Sequence, residues 1–230
     1  MTSDHIVTFL REEKIRESAL ATRQFCRVAE KQYFDICKII AEELIPNYKK
    51  KGQIKLKFFD RSSPSDSFAR VVFGDPKDGP QRTTTLHVDR LTWHQAAEGD
   101  GFSRFVMAHE IGHLILHDFD AKAFSRTDQR VIKEFVKEMG AEWQANIFAG
   151  YFLLPDDEIE KILYTTPNDA MDIILEIYKV DERLAKERLA EFRKLNRIYE
   201  GEICPGCANF TLKRNGTLLK CSICGPIFGI

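Results

Sequence analysis

The sequence predicts an α+β fold in which helices enclose a small antiparallel sheet, followed by a separate Cys-rich tail. Three observations predict it. A helix-favouring segment, three short β-prone runs and a further set of helical segments follow one another in that order. The run FVMAHEIGHLILH, residues 105–117, sets three histidines and a glutamate into an otherwise apolar helical pattern. The tail from Cys204 carries two CxxC pairs and no acidic residue.

Taken in order, residues 9–45 favour helix and stop at Pro46, whose ring cannot continue one. The β-prone runs are QIKLKFFD (53–60), FARVVFGD (68–75) and RTTTLHVD (82–89). Pro, Gly, Ser and Asp separate them, as hairpin or meander connections require. Helices are expected at 102–117 and at 129–153, the second closed by Pro155, and again at 169–178 and 181–199. The resulting organisation is an N-terminal helical segment (1–45), a core (46–165) that contains the histidine-rich run, a helical segment (166–200) and the Cys-rich tail (201–230).

Charge and hydropathy exclude several classes. Lys and Arg total 34 against 35 Asp and Glu, a net charge of -1, so overall charge points to no polyanionic partner. No apolar run approaches the ~18 to 20 residues of a membrane span, and the first residues lack a basic-then-apolar leader pattern. The expectation is a cytoplasmic protein. In that setting six cysteines read as metal ligands or buried small residues rather than disulfides.

His109-Glu110-Ile111-Gly112-His113 is an HExxH sequence. Residues four apart share one helix face, about 5 to 6 Å from each other, so two imidazoles there can converge on one Zn²⁺. Glu110, between them, stays beside the ion, where it can take a proton from the attacking water and pass it to a leaving amine. Two histidines and an acid buried for packing alone would be costly.

A catalytic zinc keeps three protein ligands and an open position. A metzincin spacing would need Gly at 116 and His at 119, where Leu116 and Phe119 stand. His117 lies a further turn along the same helix, too far to share the ion, and reads as a helix-end histidine bonded to backbone or carboxylate. In EFVKEMGAEWQANIFAGYFLLP, positions Phe135, Met139, Glu142, Asn146, Ala149 and Leu153 step by four and three, one core-facing stripe. A carboxylate inside such a stripe needs a cation, which selects Glu142 as third ligand. Asn146, one turn on, is placed to hydrogen-bond a ligand's outer atom.

In the tail, CPGCANFTLKRNGTLLKCSIC places Cys204, Cys207, Cys221 and Cys224 as CxxC, thirteen residues, CxxC. Two knuckles joined by a hairpin with RNGT at its turn fit a structural Cys₄ zinc ribbon, which metal rather than apolar burial would stabilise. Lys213, Arg214 and Lys220 lie on it. Four thiolates around Zn²⁺ offset most of that charge, so nucleic-acid binding is only weakly supported. Cys26 and Cys37 read as ordinary buried residues.

HEIGHLILH followed by EWQANIFAGYFLLP resembles the ImmA/IrrE metallopeptidases, and IYKVDERLAKERLAEF is similar to that family's helix-turn-helix-like segment. The resemblance, over about residues 30–195, implies a zincin-like core with zinc on His109, His113 and Glu142 and with Glu110 as general base. It also implies a cytoplasmic zinc metalloendopeptidase acting on a specific protein, often a helix-turn-helix repressor, and so a role in transcription regulation. With the ribbon, the expectation is one catalytic and one structural zinc. Two other readings stay open: a SprT-like DNA-associated protease, which would need a histidine downstream of His117, and a non-catalytic zinc-dependent sensor or docking protein.

Overall fold

The computed structural model describes residues 7–47, 52–63, 65–75, 77–78, 82–117, 140–166 and 168–196, and in the tail 212–215, 218–221, 223 and 227–229. The chain divides into two units, Met1–Leu153 and Leu154–Ile230.

In the first unit, helix α1 (Glu12–Phe25) is followed by a break, and the chain resumes as α2 (Ile36–Lys38), a π-helical stretch (Ile39–Leu44) and α3 (Ile45–Asn47). The continuous helix expected over 9–45 is therefore two pieces. Asp35 starts the second by accepting from the Cys37 and Lys38 amides, a local bond that competes with continuing the first. Two buried arginines hold the break in place. Arg23 donates to the carbonyls of Phe152, Ala29 and Lys31 at 2.7, 3.1 and 2.8 Å. Arg104 donates to Phe34 O and lies over the Tyr33 ring, 4.5 Å from its centroid. Each guanidinium satisfies carbonyls that the irregular backbone would otherwise bury unpaired.

Strands β1 (Gln53–Phe59), β2 (Ala69–Val72) and β3 (Thr83–Asp89) fall within the three β-prone runs. Their pairing differs from the expected antiparallel sheet. The order is β1-β3-β2, with β1 parallel and β2 antiparallel to β3. β3 alternates half-buried and buried residues and takes the centre, so the chain passes β1 to β2 without a hairpin. Local alternation fixes which residues are strands and which face is apolar, but not strand order. Ile54, Leu86, Val88 and Ala69 form the buried face.

Helix α4 (Arg90–Glu98), absent from the sequence reading, follows β3 directly because Asp89 caps it, accepting from Thr92 N. It ends at Gly99, whose φ of 97° suits the left-handed conformation that closes a helix. Asp100 then caps α5 (Gly101–Leu116) through Ser103 N. Helix α6 (Ala141–Leu153) packs along α5, and Tyr151 on it donates to Glu12 Oε1 at 2.8 Å.

The second unit holds α7 (Asp156–Thr165), α8 (Ala170–Ile173) with a π-helical continuation (Ile174–Tyr178), and α9 (Glu182–Asn196). Buried Arg188 of α9 donates to Asp156 Oδ1 and to Glu191 Oε2, and Tyr178 donates to buried Glu158. Strands β4 (Leu212–Asn215), β5 (Leu218–Cys221) and β6 (Ile227–Gly229) form an antiparallel sheet in that order, with Asn215 opposite Leu218.

Candidate metal centre

Helix α5 carries His109, Glu110 and His113, and α6 carries Glu142. Gly112 sets the distance between them. A Cβ built there would lie 3.1 Å from Ala145 Cα and 3.2 Å from both Ala145 O and Phe148 Cβ. Only a residue without that atom lets the two helices approach this closely without displacement.

The approach brings three donor atoms together. His109 Nε2 lies 3.2 Å from Glu142 Oε2, His113 Nε2 lies 3.4 Å from Glu142 Oε1, and the two Nε2 atoms are 2.9 Å apart. Ligands of a tetrahedral Zn²⁺ at about 2.0 to 2.1 Å stand about 3.3 to 3.4 Å from one another. The observed spacings lie at that edge or a few tenths of an ångström below it, so the donor set fits one small divalent cation.

The outer nitrogens of both rings are committed, and they fix the tautomers. Asn146 Oδ1 lies 2.8 Å from His109 Nδ1 and accepts its proton, which leaves the Nε2 lone pair pointing inward. The other ring is held by a longer chain. Gln144 Nε2 donates to the Thr8 carbonyl at 2.9 Å, so its Oε1 is the atom that faces His117 Nε2 at 3.0 Å. A carbonyl oxygen accepts only, so His117 carries its proton on Nε2. Neutral His117 then accepts at Nδ1, 3.0 Å from His113 Nδ1, and His113 Nε2 is left with a lone pair. Two ring nitrogens and a carboxylate thus present lone pairs to one point. Such an arrangement is repulsive unless a cation or a proton sits between them.

Electrostatics follow from this crowding. Where a proton takes the place of the cation between these atoms, hydrogen bonding with His109 and His113 holds the Glu142 carboxyl well below its ordinary range, against the opposing effect of burial. Burial works to lower the His109 pKa, yet the Glu142 hydrogen bond and the Glu110 and Glu142 charges outweigh it and raise it. Glu110 is buried, and burial raises its pKa against the pull of the two histidines. Its carboxylate accepts from the Val71 amide of β2, while Oε2 is buried with no hydrogen-bond partner. A buried carboxylate oxygen so placed beside a metal-type donor set is an acceptor waiting for water or substrate.

Several sequence expectations need correction. Glu142 is not in a buried stripe: its side chain is 47% exposed, and Asn146 is exposed as well. The buried face of α6 runs through Ala141, Ala145, Phe148, Ala149 and Phe152. Phe135 and Met139, which set the expected phase, lie outside the described residues. An open side is what a hydrolytic centre requires, since water and substrate must reach it. His117 is buried, as a packed helix-end residue would be, and His113 and Gln144 are among its partners. Gln144 carried no sequence signal beyond its position two residues after Glu142.

In the tail, Cys221 ends β5, is buried, and accepts from the Ile223 amide at 3.4 Å. Cys204, Cys207 and Cys224 lie outside the described residues. Cys26 and Cys37 are buried, and burial pushes their thiols up to about 11 and about 12, so neither is a nucleophile near neutral pH.

Two curated proteins share short stretches with this chain. The vitamin B12-dependent ribonucleotide reductase of Bradyrhizobium diazoefficiens is 54% identical over 43 residues, 19% of this chain and 3% of that protein. Its counterpart from Agrobacterium fabrum is 43% identical over 44 residues, 19% of this chain and 4% of that protein. The chain thus spans only a few hundredths of these relatives. Residues 98–190 match the family model of the IrrE N-terminal-like domain, a peptidase family. That span holds α5 and α6 with His109, Glu110, His113 and Glu142, so this stretch of the chain is similar to that peptidase-family domain.

Proposed function

We propose that the protein is a zinc-dependent metalloendopeptidase that hydrolyses a specific protein substrate. The carrying observation is the convergence of His109 Nε2, His113 Nε2 and a Glu142 oxygen within 4.8 Å of one another, beside the unpartnered Glu110 Oε2. His109, His113 and Glu142 would hold the ion, which when bound polarises the scissile carbonyl and makes water a better nucleophile. Glu110 accepts a proton from the attacking water at Oε2, as its O–C bond to the carbonyl carbon forms. It then delivers that proton to the departing amine nitrogen as the C–N bond breaks, leaving a carboxylic acid and an amine. A carboxylate whose pKa is raised by burial is the stronger base for this task. The Val71 amide fixes the Glu110 carboxylate while β2, an edge strand, offers backbone groups for an extended peptide to pair with.

The family resemblance supports a helix-turn-helix transcriptional repressor as the substrate and the cytoplasm as the place of action. A restricted target also suits a narrow edge such as β2, four residues long. For the tail, a Cys₄ zinc ribbon is supported by the β4-β5 hairpin and by the amide directed at Cys221 Sγ. A SprT-like protease is disfavoured because no histidine follows His117 in the chain. A pure docking role is disfavoured because it has no use for Glu110. Incubation of the zinc-loaded protein with a helix-turn-helix repressor and, in parallel, with denatured casein tests the reading. One or a few discrete cuts in the repressor are expected, and efficient casein degradation with an untouched repressor would refute it.

A further inference from the structure

The outward face of the three-stranded sheet carries charge of one sign in a single cross-strand row. Lys57 on β1 is paired with His87 on β3, and His87 with Arg70 on β2. Lys57 and Arg70 are exposed, and among the described residues neither takes part in an ion pair or a side-chain hydrogen bond. The two cations flank His87 and repel across it, less strongly than a directly opposed pair would. Burial, and then the Arg70 and Lys57 charges, hold His87 below its ordinary pKa, which records that closeness.

Among the described residues Arg70 is the end of this row, because β2 is the edge of the sheet they form. Alternation along β2 decides what the edge presents. Phe68 O accepts from Asp89 N, so Phe68, Arg70 and Val72 direct their backbone groups towards β3. Val71 directs its amide the other way, to Glu110. With the Val71 amide taken by Glu110, the groups left for pairing on this edge are those of Ala69 and Phe73 and the Val71 carbonyl. A peptide strand added there places one residue directly opposite Arg70 in a non-hydrogen-bonded pair, where side chains stand closest, about 4.5 to 5.5 Å apart.

We propose that Arg70 selects substrates with an acidic residue at the position that pairs with it, close to the bond cut beside Glu110. The peptide's side chain there extends the row Lys57, His87, Arg70 by one place, and Glu or Asp is the residue that relieves the like-charge alignment. This rests on β2 being the strand that pairs with substrate in the peptidase reading above. The pair is solvent-exposed, so the preference for Glu over Lys should be about two- to fivefold and should shrink with added salt.

An internally quenched peptide library, with Glu, Gln or Lys fixed at each position in turn, tests the proposal on the zinc-loaded full chain. Binding of the same pools to the Glu110→Gln variant, followed by fluorescence anisotropy, gives a second readout that needs no cleavage. One position is expected where Glu is favoured in both assays, and Arg70→Glu should invert the preference at that position alone. Cleavage with charge preferences unaltered by Arg70→Glu would overturn this inference and leave the peptidase reading standing. Arg70-dependent binding of the acidic pools without cleavage would overturn the peptidase reading instead.

Discussion

His109 and His113 occupy equivalent places on one helix, yet the molecule secures them by unlike means. His109 is fixed by one exposed amide, Asn146, on the open side of the centre. His113 is fixed by His117 and Gln144, both buried, in a chain that ends on the Thr8 carbonyl ahead of α1. The difference teaches that the centre has a wet side and a dry side. On the wet side a broken hydrogen bond can be replaced by water. On the dry side it cannot, so a single lost partner leaves a buried polar atom unsatisfied and frees the His113 tautomer.

Variants can break or sharpen that contrast. The largest effect belongs to the base that serves both sides. Glu110→Gln keeps a group for the Val71 amide but cannot take a proton, and cleavage should fall by about 10² to 10⁴ with zinc content unchanged. Steady-state rates beside metal analysis check it, and a wild-type rate would remove Glu110 from the reaction.

Next come the dry-side positions. Gln144→Leu and His117→Phe should each weaken zinc affinity by about 10- to 100-fold. Asn146→Ala should fall at or below the lower end of that range, because solvent reaches its partner. Competition with a chromogenic chelator ranks the three variants, and Asn146→Ala proving the most damaging would reverse the contrast. Gly112→Ala acts on both sides together by pushing α5 from α6. Its expected cost is about 1 to 3 kcal/mol in stability, with weakened metal binding, read from denaturant midpoints and zinc titration. The smallest effect on the core should come from the tail: Cys221→Ala should lose one zinc per chain while the rate of peptide hydrolysis stays close to wild type.

The same contrast explains what the sequence disclosed. HExxH announces its chemistry because its residues are local, and one helical turn suffices to align them. Asn146 was within reach for the same reason, one turn from Glu142. The dry side was not. Thr8, His117 and Gln144 are brought together by packing across 136 residues of chain, and no periodicity encodes that meeting. The stripe argument led to Glu142 through a burial that α6 does not have, since the helix is phased so that Glu142 and Asn146 face the opening. In the sheet, β-prone runs between turn residues located all three strands, while the central place of β3 depends on which strand the rest of the core covers. Arg23 and Arg104 stand out by nothing in the sequence, and they are buried clamps on irregular backbone.

The zinc content of Glu142→Ala tests the central claim most directly. If His109, His113 and Glu142 share one ion, this variant should carry one zinc per chain fewer than the wild type and should have no peptidase activity, while its circular dichroism is unchanged. Glu142→Ala that retains the full wild-type zinc content would place the third ligand elsewhere and contradict the account.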